Sequence, residues 1–224
     1  LRRQRQMCIR DSMHPKALLD ASAELVRLAL TFQHPADSVV SRFFRDQRKT
    51  HAFGPRERAL LAETLYNVLR YKLRYEHFAP SGSGPRERRL AILGFAQYLQ
   101  DSSPNASGDP LAFLKSALQK NEVAWLESCW SIRLEDLLER HRHNLPEWLV
   151  TPLKEQVGDG FWPLAQALNH SATLDLRVNA LTDKRADVQQ ELSLAGIAAQ
   201  PTPYSPWGLR VQGKPALTKL DAFA

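Results

Sequence analysis

The chain has 224 residues, 43% of them hydrophobic, and carries 30 Lys or Arg against 24 Asp or Glu, a formal charge of +6. That length accommodates about two domains with enough apolar material to bury a core in each. No run of about 18 apolar residues occurs, the basic start LRRQRQMCIRDS lacks the apolar segment of a secretory signal, and two cysteines, Cys8 and Cys129, are too few for a disulfide framework or a zinc site. A cytoplasmic protein with no membrane span and no metal is the expectation.

Residues 1–12 show no periodicity, and QMCIRDS ahead of a second methionine, Met13, reads as translated adapter sequence. The segment is set aside as a non-native, disordered scar that carries three of the six formal charges. Residues 42–90 hold twelve basic and five acidic side chains, a local +7 that leaves −4 for the rest of the chain beyond residues 1–12. That density points to a polyanion, RNA foremost, with a merely solvated helix surface as the alternative.

In chain order, the spacing predicts a helix over 15–32, with Pro15 at its first position and Leu18, Ala21, Leu25, Leu28 and Phe32 on one stripe. A second helix over 37–47 buries Val39, Val40, Phe43 and Phe44, and its exposed face carries Arg42, Arg45, Arg48 and Lys49 into a loop. The longest helix runs from Arg56 to about Phe78. Leu61, Leu65, Val68 and Tyr75 line one side, Arg56, Arg70 and Arg74 project from the other, and Arg58 and Lys72 snorkel along the apolar stripe. PSGSGP at 80–85 is a loop without a phosphate-cradling signature. A helix resumes over 86–100, followed by the polar loop 101–109.

Further helical patterns cover 110–119 and 134–141, with Trp125, Cys129 and Trp130 between them as core residues. His141 and His143 stand two apart, about 200° around a helix, so they are poor joint metal ligands and read as the polar end of that helix. A helix begins at Pro146 and is broken or kinked early by Pro152, and a short one covers 161–168. Leu174, Leu176 and Val178 then alternate with Asp175, Arg177 and Asn179 as a half-buried strand that displays Arg177 and Asn179 in parallel. Thr182 and Asp183 can cap the next helix, Gly196-Ile197 stops it, and a Pro-Trp-Gly turn leads into the strand Leu209, Arg210, Val211.

The run LRVNALTDKRADVQQELSLAGI, then PYSPWGLRV and GKPALTKLDAFA, resembles the linker domain of the RsmB/Sun family of rRNA cytosine-C5 methyltransferases. FGPRERALLAETLYNVLRY resembles a helix of the NusB-like domains that form the N-terminal RNA-binding module of that family. The resemblance implies a mainly α protein: a NusB-like helical bundle over 13–145, a helical connector over 146–170, and a small, incomplete α+β domain of ferredoxin or RRM type over 171–224. It implies an rRNA partner, a monomer, and S-adenosylmethionine as the cofactor of a full-length parent whose catalytic domain lies downstream.

Such an enzyme needs a cysteine thiolate, a carboxylate and a Rossmann-like pocket. Neither cysteine stands in the Pro-Cys or Thr-Cys context of the family, and no glycine-rich strand-turn-helix follows residue 213, so the segment is expected to be inactive alone. What remains is recognition by Arg42, Arg45, Arg48, Lys49, Arg56, Arg70, Arg74, Arg177, Asn179 and Arg210. Arg177 has a structural alternative, an ion pair with Asp175 or Asp183, and Trp207 could stack a base or close the sheet edge. The competing function is a protein or RNA adaptor, as NusB-like domains act in antitermination complexes or ribosome assembly.

Overall fold

The computed structural model describes residues 14–48, 53–102, 108–213, 215, 217 and 220, and divides into two compact units between Asn169 and His170. The segment 1–12 and Lys49 lie outside the described residues.

The first unit is helical: α1 (Pro15–Ala29), α2 (Ala36–Gln47), α3 (Pro55–Arg70), α4 (Lys72–Phe78), α5 (Arg86–Ser102), α6 (Ala112–Lys115), α7 (Lys120–Ser131), α8 (Glu139–His143), α9 (Glu147–Val157) and α10 (Phe161–Leu168). Leu19, Leu25, Leu61, Leu65, Ile92 and Phe95 are fully buried where α1, α3 and α5 meet. The closest approach is at Gly94 in α5: a Cβ added there would stand 2.5 Å from the Thr64 carbonyl oxygen and 2.7 Å from Val68 Cγ2. Glycine is unfavourable in mid-helix by about 0.5–1 kcal/mol relative to alanine, so its place here follows from the crossing rather than from helix propensity. Asn67 Nδ2 donates across the same contact to the Gly94 carbonyl, at 3.4 Å.

A second tie is ionic. Arg88 of α5 donates two hydrogen bonds to the buried Glu122 of α7, at 2.7 and 3.1 Å, and one to Asp20 of α1 at 3.0 Å. Burial alone would raise the Glu122 carboxyl, but Arg88 and the Gln119 amide, which donates at 2.9 Å, hold it below its ordinary range. The loop 80–85 is fastened to α7 by Trp125 Nε1, donating to Ser81 Oγ at 3.0 Å, and by Asn121 Nδ2, donating to Ser83 Oγ at 2.8 Å.

Several expectations are corrected. The helix expected over 56–78 breaks at Tyr71 (φ −102°, ψ 24°), and α5, with 17 residues, exceeds α3, with 16. The break redirects α4 against α8, where Arg74 finds backbone acceptors. α1 stops at Ala29 because Thr31 Oγ1 bonds back to the Leu28 carbonyl at 2.8 Å, and Phe32 lies outside the helix with φ +53° and 63% exposure. α7 fills the stretch left between two expected helices; its inward positions are Glu122, Trp125, Leu126 and Cys129, and the buried glutamate interrupts the apolar stripe. Pro152 neither ends nor shortens α9, which continues to Val157.

His141 and His143 are core residues, 4% and 2% exposed, rather than a polar helix end. His141 stacks on His77 with ring centroids 4.2 Å apart, and its Nε2 accepts from Arg140 Nε at 3.0 Å, which leaves the proton on a buried Nδ1 without an acceptor. His143 Nδ1 accepts from the Leu145 amide at 3.0 Å, and its ring meets Phe161 edge-on.

The second unit contains β1 (Leu174–Arg177), α11 (Arg185–Leu194), β2 (Ala199–Pro201) and β3 (Gly208–Val211). The sheet order is β1-β3-β2, antiparallel throughout, with Asp175 opposite Arg210 and Gln200 opposite Arg210 on the other edge. Val178, Leu192, Leu209 and Leu217 form its core. At the end of α11, Gly196 (φ +76°) and Ile197 donate to the carbonyls of Ser193 (2.9 Å) and Leu192 (2.8 Å), the doubly bonded helix stop the Gly-Ile pair predicts. The start differs from expectation. Lys184 is the N-cap, whereas Thr182 and Asp183 donate their amides to the Asn179 carbonyl at 3.2 and 3.0 Å.

Gly94→Ala is expected to lower unfolding stability by about 1–3 kcal/mol in denaturant titration, because the added methyl meets a backbone carbonyl that cannot rotate away. A pH effect follows from the histidines. Burial first, then the charges of His77, Arg140 and Arg74, hold His141 below the ordinary imidazole range; burial and then Lys154 do the same for His143, against Glu139 and Glu147. The unfolded chain takes up these protons below about pH 6.5 and the folded chain does not, so stability falls as pH drops through that value towards the lower folded-state values. Melting temperatures between pH 7.5 and 5 should show this decline, and His141→Gln should flatten it.

Candidate nucleic-acid interface

α2 presents its cations on the side away from Val39, Val40 and Phe43. Arg42, Arg45 and Arg48 recur every third residue, so they form one oblique exposed row. Arg42 makes only a loose contact with Asp46, 3.7 Å with both side chains mostly exposed, while Arg45 and Arg48 have no ion pair among the described residues. Arg56, in the first turn of α3, is exposed as expected. Arg58 is exposed too and joins this set. Lys72 is engaged by Glu76 at 2.9 Å.

Arg70 and Arg74 do not project freely. Arg70, its side chain 22% exposed, lies 3.6 Å from Glu63 and donates to Asn67 Oδ1 at 3.0 Å. Arg74 donates through Nε to the His141 carbonyl at 3.0 Å and through an Nη to the Arg142 carbonyl at 3.2 Å, satisfying the last carbonyls of α8. Its amide also takes the Asn144 side chain at 3.0 Å, and burial lowers its guanidinium pKa. Its chemistry is that of a helix cap.

In the second unit, Arg177 ends β1, is exposed, and has no ion pair among the described residues. Of the two partners expected for it, Asp175 is taken by Arg210 and Asp183 accepts from Thr182 Oγ1 at 2.6 Å. Asp175 accepts two hydrogen bonds, both 2.8 Å, from Arg210 directly across the ladder, which also holds the Asp175 carboxyl below its usual range. Asn179 falls beyond the strand, and its Oδ1 accepts from the Leu181 amide at 3.2 Å, so it shapes the turn into α11 rather than sharing a strand face with Arg177. Tyr204 is 99% exposed and Trp207 39%.

Among the described residues no methyl-transfer centre is assembled. The three strands are antiparallel, whereas a methyl-donor pocket of Rossmann type forms at the ends of parallel strands. Cys129 is buried and its thiol is pushed up to about 11 by burial, so it is protonated at neutral pH and unsuited to attack a base. No cluster of three or more metal-ligating side chains occurs among the described residues, and none of their helices is long and apolar enough to cross a membrane.

Residues 145–218 match the family model of the RsmF/B-like methyltransferase ferredoxin-like domain. A probable ribosomal RNA small subunit methyltransferase B of Synechocystis sp. is 26% identical over 198 residues, covering 78% of this chain and 44% of that protein. The ribosomal RNA small subunit methyltransferase B of Photorhabdus laumondii is 32% identical over 81 residues, 36% of this chain and 19% of its own length. The chain thus spans less than half of either relative. The crystal structure of PH0851 superposes on 95% of this chain and 52% of its own with a TM-score of 0.57 at 18% identity, a likeness of fold. Over residues 145–218 the chain is thus similar to the ferredoxin-like domain of RsmF/B-like methyltransferases, and both relatives it resembles are named as ribosomal RNA small subunit methyltransferase B.

Proposed function

We propose that the chain is the RNA-holding part of an S-adenosylmethionine-dependent small-subunit rRNA cytosine-C5 methyltransferase, acting in the cytoplasm, with a NusB-like helical unit that positions rRNA. The observation that carries this reading is the row Arg42, Arg45 and Arg48 together with Arg56 and Arg58: five exposed guanidinium groups on neighbouring helices, at most loosely paired. Phosphate contacts of this kind fix the position of a nucleic acid without reading its sequence. Arg70, Arg74 and Arg210 are occupied by protein acceptors and are left out of the contact set, and Asn179 acts on its own turn. Arg177 remains as an RNA contact on the sheet unit. The described residues offer no methyl-donor pocket and no reactive thiol, so the methyl transfer is assigned to other residues of the enzyme.

If five arginines meet phosphates, binding of a small-subunit rRNA fragment should weaken with a log-log salt slope of about −3.5 to −4.5 in a filter-binding titration. Arg45→Glu with Arg48→Glu should weaken binding and make the slope shallower by about two. Arg74→Ala should instead lower the melting temperature, and its salt slope should stay that of the wild type. A slope near zero for the wild type would exclude the reading.

A further inference from the structure

At the end of the sheet where Arg177 of β1 pairs with Gly208 of β3, a cavity of about 400 Å³ opens between these strands and the loop 202–207. Arg177, Tyr204, Gly208, Asp175 and Arg210 are among its lining residues. We infer that this cavity holds one nucleotide of single-stranded RNA, its phosphate on Arg177 and its base against the Tyr204 ring. This rests on the reading that the chain binds rRNA.

The cavity exists because position 208 has no side chain. A Cβ there would stand 2.0 Å from Thr202 Oγ1 and 3.1 Å from Ser205 Cβ, so the loop closes down onto bare backbone. The Thr202 amide donates to the Gly208 carbonyl at 3.0 Å, the Gly208 amide to the Ser205 carbonyl at 3.3 Å, and Arg185 adds a bond to the same Ser205 carbonyl at 3.1 Å. Pro203 and Pro206 fix two further φ angles of the loop. Tyr204 is thus carried on a tied loop, yet its side chain is 99% exposed and contributes nothing to the core. An aromatic ring presented in this way has little ordering entropy left to lose when a ligand lies on it.

The charges set the sign of the ligand. Asp175 is the one carboxylate of the lining, and Arg210 neutralises it through two hydrogen bonds of 2.8 Å. Arg177, with no ion pair among the described residues, leaves the cavity one positive charge in excess. A phosphate meets that charge, and the planar guanidinium suits its oxygens. A bare anion would use Arg177 and leave the ring idle. An unpaired nucleotide uses both, because a base outside a duplex has a free face to stack on an aromatic side chain.

The test uses the full chain and follows its backbone amide signals by NMR during titration with a uridylate hexamer. The Thr202, Tyr204 and Gly208 amides are expected to shift, and inorganic phosphate or a hexaglutamate peptide at equal ionic strength should leave them in place. Read from these signals, Tyr204→Ala should weaken binding by at least about fivefold and keep the wild-type salt slope, while Tyr204→Phe, which retains the ring, should bind as the wild type does. Arg177→Ala should weaken binding and make the log-log slope shallower by about 0.7. Both side chains are exposed, so neither change should move the melting temperature. Unshifted amides at saturating hexamer, equal shifts with phosphate or hexaglutamate, or wild-type affinity in either alanine variant overturns the site. In that case the reading of the α2 and α3 arginines stands if Arg45→Glu with Arg48→Glu still weakens rRNA binding. No RNA binding by the wild type overturns both.

Discussion

The helical unit depends on one close approach. Because residue 94 has no side chain, α5 comes within a methyl's width of the Thr64 carbonyl, and the whole run Leu90–Ala96 is buried. From that contact the rest follows: α1 packs on both helices, and Arg88 reaches outward from α5 to Asp20 on one side and Glu122 on the other. A residue even one methyl larger at position 94 would force α3 and α5 apart and strain the span that Arg88 bridges.

The arginines divide into two populations with different work. Arg74, Arg88 and Arg89 are structural. Arg89 donates to the carbonyls of Ala79 and Gly82 at 2.6 and 2.7 Å, just as Arg74 serves α8. Arg74 and Arg89 each give helix or loop carbonyls a charge-assisted bond, which is stronger than a neutral one, whereas Arg88 bridges two carboxylates. Those on α2 and at the start of α3 reach no such acceptors among the described residues. Charge counted along the sequence adds the two populations together, and only the fold separates the cations already satisfied from those open to a ligand.

That separation marks where the sequence was legible. Period-two alternation at Leu174–Arg177, the Gly-Ile stop and the Pro15 start are set by local chemistry, and each stands where its pattern predicts. Long-range terms account for the departures. Glu122 is buried because Arg88 comes to it from 34 residues away, and an acid on the inner face hides α7 from any apolar-stripe reading. His141 and His143 are buried because α4 and α10 close over α8, and Arg74 turns inward because a break at Tyr71 brings it to carbonyls 67 and 68 residues on. Likewise the Asp175–Arg210 pair needs the β1-β3 register, which places the two residues opposite each other.

Cys129 is buried on the inner face of α7, which also carries Trp125 and Leu126, and burial holds it protonated. A thiol in that state is chemically silent while the helices are closed, and it becomes an ordinary nucleophile when the packing around α7 opens. The position therefore doubles as a built-in clock: its rate of alkylation measures how often the unit opens, independently of any ligand or optical probe.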